Sequence, residues 1–177
     1  SRRTNKFLTN RLKNIKDCQL KLRKFKEFQI LGYGLSSFPE IPDGRTVKSK
    51  KKYNLVKKSY NKLFNLLVKE YKKRDKDKPL IFLTHNVPYN TKLDKIENKQ
   101  SPFDGEHYGS KIARDFCRKY QPLICIGAHI HEGFGKDKIG KTICINSGFG
   151  SNVNVLLEIN DHKITKLKFL GKTKLHT

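Results

Sequence analysis

Two short runs of continuous apolar residues constrain the fold more than any other feature of the sequence. One run covers residues 80–83 and the other covers residues 123–126. Runs of this length without polar alternation are typical of strands that are buried on both faces of a sheet. Between them, apolar residues recur at helical spacing after Ser110, and Pro122 ends that pattern. The segment from 80 to 126 therefore predicts a strand, a crossover helix and a parallel strand.

The rest of the chain adds elements on both sides of this βαβ unit. Period-2 alternation predicts a β-hairpin within residues 18–34, and helical spacing predicts an amphipathic helix from Asn54 to about residue 71. Further strands are predicted at residues 142–145, 153–159 and 164–169. The chain of 177 residues is long enough for one domain with a core, so we expect a single unit with a basic lead-in at 1–17 and a lysine-rich solvent loop at 38–52.

The formal net charge of +23 bears on possible partners. A basic surface raises the local concentration of polyanions, so nucleic acid is one candidate partner. Lysine far outnumbers arginine, however, and bidentate readers of bases and phosphates are typically rich in arginine. A compositional bias of the genome explains the lysines equally well, and a phosphate-bearing substrate is compatible with both explanations.

The cysteines and the apolar segments indicate a compartment. Four cysteines occur singly in apolar surroundings without a C-x-x-C pair, which is typical of reduced core residues. No run approaches the ~18 apolar residues of a membrane span, and the basic N-terminus has no apolar signal region. The sequence therefore predicts a cytoplasmic protein with no membrane partner.

Three histidines follow the two buried strands. His85 comes directly after the first strand, while His129 and His131 follow the second. Ligands collect at the carboxyl ends of parallel strands, so these side chains are expected at one edge of the sheet. In extended backbone, residues two apart point the same way, so His129 and His131 are spaced to reach two ions about 3.5 to 4 Å apart. The sequence thus predicts a metal site, although a surface or core pair remains the alternative for an isolated H-x-H.

The sequence resembles the calcineurin-like metallophosphoesterase superfamily, and more closely its small prokaryotic branch with a Gly-His-Ile-His-Glu signature. The similarity runs from about residue 20 to residue 159. It is carried by residues 32–34 (Gly-Tyr-Gly), 82–90 (Phe-Leu-Thr-His-Asn-Val-Pro-Tyr-Asn), 107–110 (His-Tyr-Gly-Ser), 128–132 (Ala-His-Ile-His-Glu) and 146–148 (Asn-Ser-Gly). Ala128 stands where the family has glycine, and Ser147 where it often has proline.

The resemblance implies a fold, a cofactor and a set of site residues. The fold would be α/β, the C-terminal half of a four-layer αββα sandwich with mixed sheets flanked by helices. His85 and His129 would ligate one metal and His131 the other, in a site of two divalent ions (Mn, Fe, Zn or Ni). Asn86 and Asn146 would shape the loops. The activity would be hydrolysis of phosphomonoesters or phosphodiesters by a metal-bridging hydroxide.

His107 is a candidate contact for substrate, because it precedes the predicted start of the second helix. An N-terminal helix position suits an anion, and a solvated loop histidine is the alternative.

The family's first half contributes carboxylate ligands and a further histidine motif, which are not found before residue 20. We therefore expect an incomplete domain that binds at most one metal weakly and needs an N-terminal half to act on a phosphate ester, either as a separate polypeptide or as an upstream portion left out of this sequence. One alternative is a non-catalytic basic module of the same fold that binds nucleic acid or a protein. Another is a structural α/β domain without metal.

Overall fold

A computed structural model describes residues 12, 14–42, 49–149 and 153–171. Within them the chain forms two α-helices, α1 (Lys50–Tyr71) and α2 (Lys111–Tyr120), and eight strands. The strands are β1 (Leu22–Lys24), β2 (Gln29–Tyr33), β3 (Leu80–Asn86), β4 (Ile124–Ala128), β5 (Gly135–Ile139), β6 (Thr142–Asn146), β7 (Val153–Asn160) and β8 (Lys163–Gly171). The expected lead-in at 1–17 lies largely outside the described residues.

Six strands form one mixed sheet in the order β1-β2-β3-β4-β6-β5. β2, β3, β4 and β6 are parallel neighbours, while β1 and β5 pair antiparallel at the two edges. The predicted βαβ unit is confirmed: β3 pairs with β4 in parallel, with Ile81 opposite Ile124, and α2 connects them. Ser110 caps α2 as predicted, because its side chain accepts the backbone N–H of Ala113.

The helices cover one face of the large sheet. Leu67 of α1 and Phe116 of α2 are fully buried there with Phe82 of β3. The prediction that the lysine-rich loop extends to residue 52 is wrong, because α1 begins at Lys50. The Ser49 side chain accepts the N–H of Lys52, and lysine is a good helix former, so the helix starts earlier than its apolar stripe. Residues 43–48 of that loop lie outside the described part.

A two-stranded antiparallel sheet, β7–β8, packs on the opposite face. Ile81, Ile124 and Ile145 of the large sheet are fully or almost fully buried beneath it. Val153 of the hairpin is buried, but the other inward side chains, among them Leu157 and Phe169, are only half-buried. The described chain is therefore layered as helices, a six-stranded mixed sheet and a smaller sheet, which confirms the α/β class.

Some strand boundaries differ from those predicted. The hairpin within 18–34 is present, but β1 has only three residues because Leu20 adopts a left-handed φ of 49° and its N–H bonds to the Gly32 carbonyl. β3 continues through His85, which had been expected just beyond the strand's end. β5 was not predicted, since its alternating lysines on a sheet edge lack an apolar pattern.

Two predictions on cysteines and membranes can be compared with the described residues. Each of the four cysteines is free, and Cys117, Cys125 and Cys144 are buried in the core. No helix in the described part of the chain combines the length and the apolar character needed to cross a bilayer.

Candidate metal centre

The ends of β3 and β4 bring two of the three predicted histidines together. The rings of His85 and His129 have centroids 4.6 Å apart and planes inclined at 50°. Gly127 permits this approach, because a Cβ at that position would lie 2.7 Å from Thr84 Oγ1 and 3.0 Å from the Val87 nitrogen. The two histidines therefore meet because their strands are adjacent and because residue 127 has no side chain.

His129 is held in an unusual backbone conformation. Its φ is 76°, a left-handed value that is uncommon for residues other than glycine. Its Nε2 lies 3.0 Å from the carbonyl oxygen of Ser37. A carbonyl oxygen only accepts hydrogen bonds, so Nε2 carries the proton and the lone pair of the neutral ring is on Nδ1. Metal-binding histidines commonly donate their second ring nitrogen to a carbonyl in this way.

His85 lies partly exposed at the same edge. Burial, and then the neighbouring His129, lower the pKa of His85 from its ordinary value. The lowered pKa favours the neutral form of His85. The neutral imidazole is the form that ligates metal ions.

The structure does not bring His131 into this pair. Ile130 is extended, but His129 has a left-handed φ and His131 begins a short 3-10 turn, so residues 129–131 are not the continuous extended segment that was expected. Its ring stacks on Phe149 instead, with centroids 4.2 Å apart and planes inclined at 18°. Throughout the described ranges, no group of three or more His, Cys, Asp or Glu side chains is placed to hold a metal ion.

The two asparagines are buried beside this edge. Asn146 Nδ2 donates to the carbonyl of Ile130 at 2.7 Å, and its Oδ1 accepts the N–H of Gly148 at 3.1 Å. Asn86 Nδ2 donates to the carbonyl of Tyr108 at 2.8 Å, while its Oδ1 is buried without a hydrogen-bond partner. Each amide thus connects one strand end to a neighbouring loop.

His107 is paired with a carboxylate that the sequence analysis missed. Its Nδ1 lies 2.8 Å from Oδ1 of Asp94, which is fully buried. Glu40 was also missed: its carboxylate accepts from Ser110 Oγ at 2.6 Å and from the Lys111 N–H at 2.8 Å at the start of α2. No local pattern marked either acidic residue. His107, the partner of Asp94, lies 13 positions away and Ser110, the partner of Glu40, lies 70 away, although Asp94 also accepts N–H groups three and four positions before it.

Comparison with known proteins identifies the family. A model of the calcineurin-like phosphoesterase family matches residues 6–133 of the chain. This protein belongs to the calcineurin-like phosphoesterase family. The match covers most of the chain and includes both His85 and His129, and the family prediction is confirmed.

Individual relatives are longer than this chain. An uncharacterized protein of Methanocaldococcus jannaschii, MJ1162, is 36% identical over 87 residues, which are 49% of this chain and 36% of that protein. TT1561 of Thermus thermophilus is a solved structure with a TM-score of 0.52 at 16% identity; the match covers 96% of this chain and 64% of TT1561. Another solved structure has a TM-score of 0.58 at 19% identity, covering 96% and 60% respectively. These structures confirm the metallophosphoesterase-type fold.

Calcineurin-like phosphoesterases use divalent metal ions, and the described residues can be compared with that requirement. The side chains at the sheet edge supply two imidazoles and no carboxylate. Two dications held close together repel each other strongly unless carboxylates neutralise part of their charge. The described residues therefore do not fit a two-metal centre by themselves.

Proposed function

We propose that this chain carries the histidine ligands of a metal-dependent enzyme that hydrolyses phosphate esters. The observation that supports the proposal is the His85–His129 pair at the carboxyl ends of two adjacent parallel strands. In open α/β sheets, ligands bind at this edge. Family membership supplies the reaction class, and the pair supplies the location.

His85 and His129 are the proposed nitrogen ligands of one divalent ion. His129 is already oriented for that role by its bond to Ser37, and His85 has its pKa lowered toward the neutral form. His131 is the proposed ligand of a second ion, as the resemblance implies. That role requires its ring to leave Phe149.

The carboxylate ligands come, in this proposal, from an N-terminal-half polypeptide that completes the domain. Two features support such a partner. The chain spans 36%, 60% and 64% of the length of the three relatives that it matches. Its net charge of +23 also favours an acidic partner over a second copy of itself.

The test measures bound metal and hydrolysis of bis(p-nitrophenyl) phosphate. The protein is incubated with Mn²⁺ or Zn²⁺, alone and with a polypeptide that carries the carboxylate ligands, and then desalted for metal analysis. We expect hydrolysis and two metals per chain only in the mixture. Variants His85→Ala and His129→Ala should lose both, whereas His162→Ala, in an exposed turn, should lose neither. Metal binding that is unchanged in both site variants would refute the proposal.

A second candidate is a basic module that binds nucleic acid without catalysis, which the net charge favours. Binding through phosphates weakens linearly in log affinity as log salt concentration rises. The assay is fluorescence anisotropy with a labelled single strand between about 50 and 200 mM KCl. Tight binding with a steep salt slope and no hydrolysis in the mixture supports the module, and weak binding at both salt concentrations excludes it.

A further inference from the structure

The loop between β3 and α2 is built around one buried carboxylate. Asp94 is fully buried, and its oxygens accept the backbone N–H groups of Asn90 at 2.9 Å, Thr91 at 2.7 Å and Gly109 at 2.9 Å. Gly109 allows this approach, because a Cβ there would lie 2.8 Å from Asp94 Cβ. Hydrogen bonds to a charged acceptor are short and strong. The position of the Asp94 carboxylate is therefore fixed by the backbone alone.

His107 adds a fourth donor to this carboxylate. Its Nδ1 lies 2.8 Å from Asp94 Oδ1, and a carboxylate that accepts from three N–H groups acts as an acceptor here too, so Nδ1 carries a proton. The second nitrogen, Nε2, has no hydrogen-bond partner among the described residues. The imidazole is about a third exposed, with a relative accessibility of 32%. Asp94 thus fixes the ring with Nε2 directed away from the carboxylate.

The surroundings of His107 are cationic and aromatic. The Tyr89 ring centroid lies 6.0 Å from the imidazole centroid, and the Lys111 ammonium lies 4.7 Å from the Tyr89 centroid. The Arg114 guanidinium donates to the carbonyls of Tyr89 at 2.7 Å and Asn90 at 2.8 Å. The positive charges of Lys111 and Arg114 favour an anion at this place.

The segment that carries His107 runs beside the segment that follows His85. Ser110 donates its N–H to the Val87 carbonyl at 2.8 Å and accepts the Tyr89 N–H at 2.9 Å. Asn86, the residue after His85, donates to the carbonyl of Tyr108 at 2.8 Å. Residues 107–110 and the histidine pair therefore lie along the same edge of the sheet.

We propose that His107 is a substrate-binding residue whose imidazolium form, with its second proton taken up from water, donates from Nε2 to an oxygen of the substrate's phosphate group, while Asp94 is the positioning residue that holds Nδ1–H. The inference rests on the proposed function, which supplies a phosphate ester as the substrate. The structure of the loop does not by itself require the imidazole, since three backbone N–H groups already hold Asp94. The exposed nitrogen belongs to a ring that neighbours Tyr89, and both Lys111 and Arg114 contact Tyr89, so this nitrogen is the feature that an anionic ligand would use.

The probe is inorganic phosphate, added to the whole chain at 0.15 M KCl to suppress non-specific binding by the net charge. Proton–nitrogen NMR of the histidine rings reports both the tautomer and the contact. We expect an Nδ1 proton on His107 without phosphate, and a saturable shift of its Nε2 signal as phosphate is added. The ring signals of His162, in the exposed turn, serve as the internal reference and should not move.

Two substitutions at position 107 distinguish the roles of Nδ1 and Nε2. His107→Asn keeps a side-chain N–H near the Nδ1 position but removes the outward donor, and we expect phosphate to bind about tenfold more weakly. His107→Gln places its N–H near the Nε2 position and should bind within about threefold of the original chain. His162→Gln is the matched control and should bind phosphate unchanged.

The inference is overturned if His107→Asn binds phosphate as tightly as the original chain, or if phosphate binds while the ring signals of His107 stay in place. Hydrolysis by the completed, metal-loaded mixture is scored separately. Phosphate contact without any hydrolysis refutes the proposed function and leaves this inference standing. Hydrolysis by the mixture with an unchanged KM in His107→Asn refutes this inference and leaves the proposed function standing.

Discussion

Replacing Glu40 with glutamine tests what anchors the segment before α1 beside the histidine pair. The Glu40 carboxylate accepts from Ser110 Oγ, from the N–H groups of Lys111 and Ile112, and from the Tyr33 hydroxyl at 3.1 Å. It therefore joins this segment to the start of α2, where an acceptor and a negative charge are both favourable.

The expected cost follows from these contacts. The amide keeps one acceptor oxygen but turns an NH₂ group toward donors, which leaves partly buried groups unpaired at a cost of about 1 to 2 kcal/mol. The lost charge at the helix N-terminus adds about 0.5 kcal/mol. For a chain of this length, a total of about 2 kcal/mol lowers Tm by roughly 4 to 8 °C.

Urea unfolding followed by circular dichroism measures the change, with Glu27→Gln as the control. The Glu27 side chain is 77% exposed and pairs with Lys26, which is 95% exposed, so its substitution should change stability by less than about 0.5 kcal/mol. The reasoning is refuted if Glu40→Gln lowers the unfolding midpoint no more than Glu27→Gln does.

Three further predictions concern the strand ends, the tyrosines and the core. Gly127→Ala should lower the free energy of unfolding in urea by about 1 to 3 kcal/mol, because the added Cβ would press on residues 84, 86 and 87. Ala128→Gly should lower it by less than about 1 kcal/mol, and equal losses would contradict the reasoning. Burial raises the pKa of the Tyr33 and Tyr60 hydroxyls, so the folded chain keeps protons that the unfolded chain loses above about pH 10. The free energy of unfolding, measured by urea titration, should therefore keep this contribution below that pH and fall above it. The fall should be shallower in Tyr60→Phe. Phe116→Ala should cost about 3 to 5 kcal/mol by calorimetry or urea, since the side chain is fully buried, and a loss under about 1 kcal/mol would contradict the core assignment.

The central part of the fold could be predicted because buried parallel strands carry a distinctive sequence pattern. The runs at 80–83 and 123–126 have no polar alternation, and both are adjacent strands in the structure. The same reasoning predicted that His85 and His129 lie at one edge, and their rings are 4.6 Å apart.

Other features depend on tertiary contacts that leave no local pattern. The left-handed φ of His129 accompanies the close approach of Gly127 to β3. Together with the 3-10 turn that begins at His131, it interrupts the continuous extended backbone on which the predicted spacing of His131 was based. Asp94 is recognised only after the fold places three backbone N–H groups around it. Strand β5 pairs at the edge of the sheet, where its lysine side chains are exposed to solvent, so its sequence needs no apolar alternation.

The energies of the hydrogen bond and of a carboxylate contact indicate what would limit metal binding by His85 and His129. The bond from His129 Nε2 to the Ser37 carbonyl leaves Nδ1 available to an ion, so loading does not have to break it. Even if the bond were lost, the cost would be about 1 kcal/mol. A carboxylate about 4 Å from a unit charge near a protein surface contributes about 4 kcal/mol before desolvation, and a divalent ion gains more. The carboxylates that the described residues do not place at this edge therefore determine whether the pair holds an ion, and small adjustments of the histidine side chains do not.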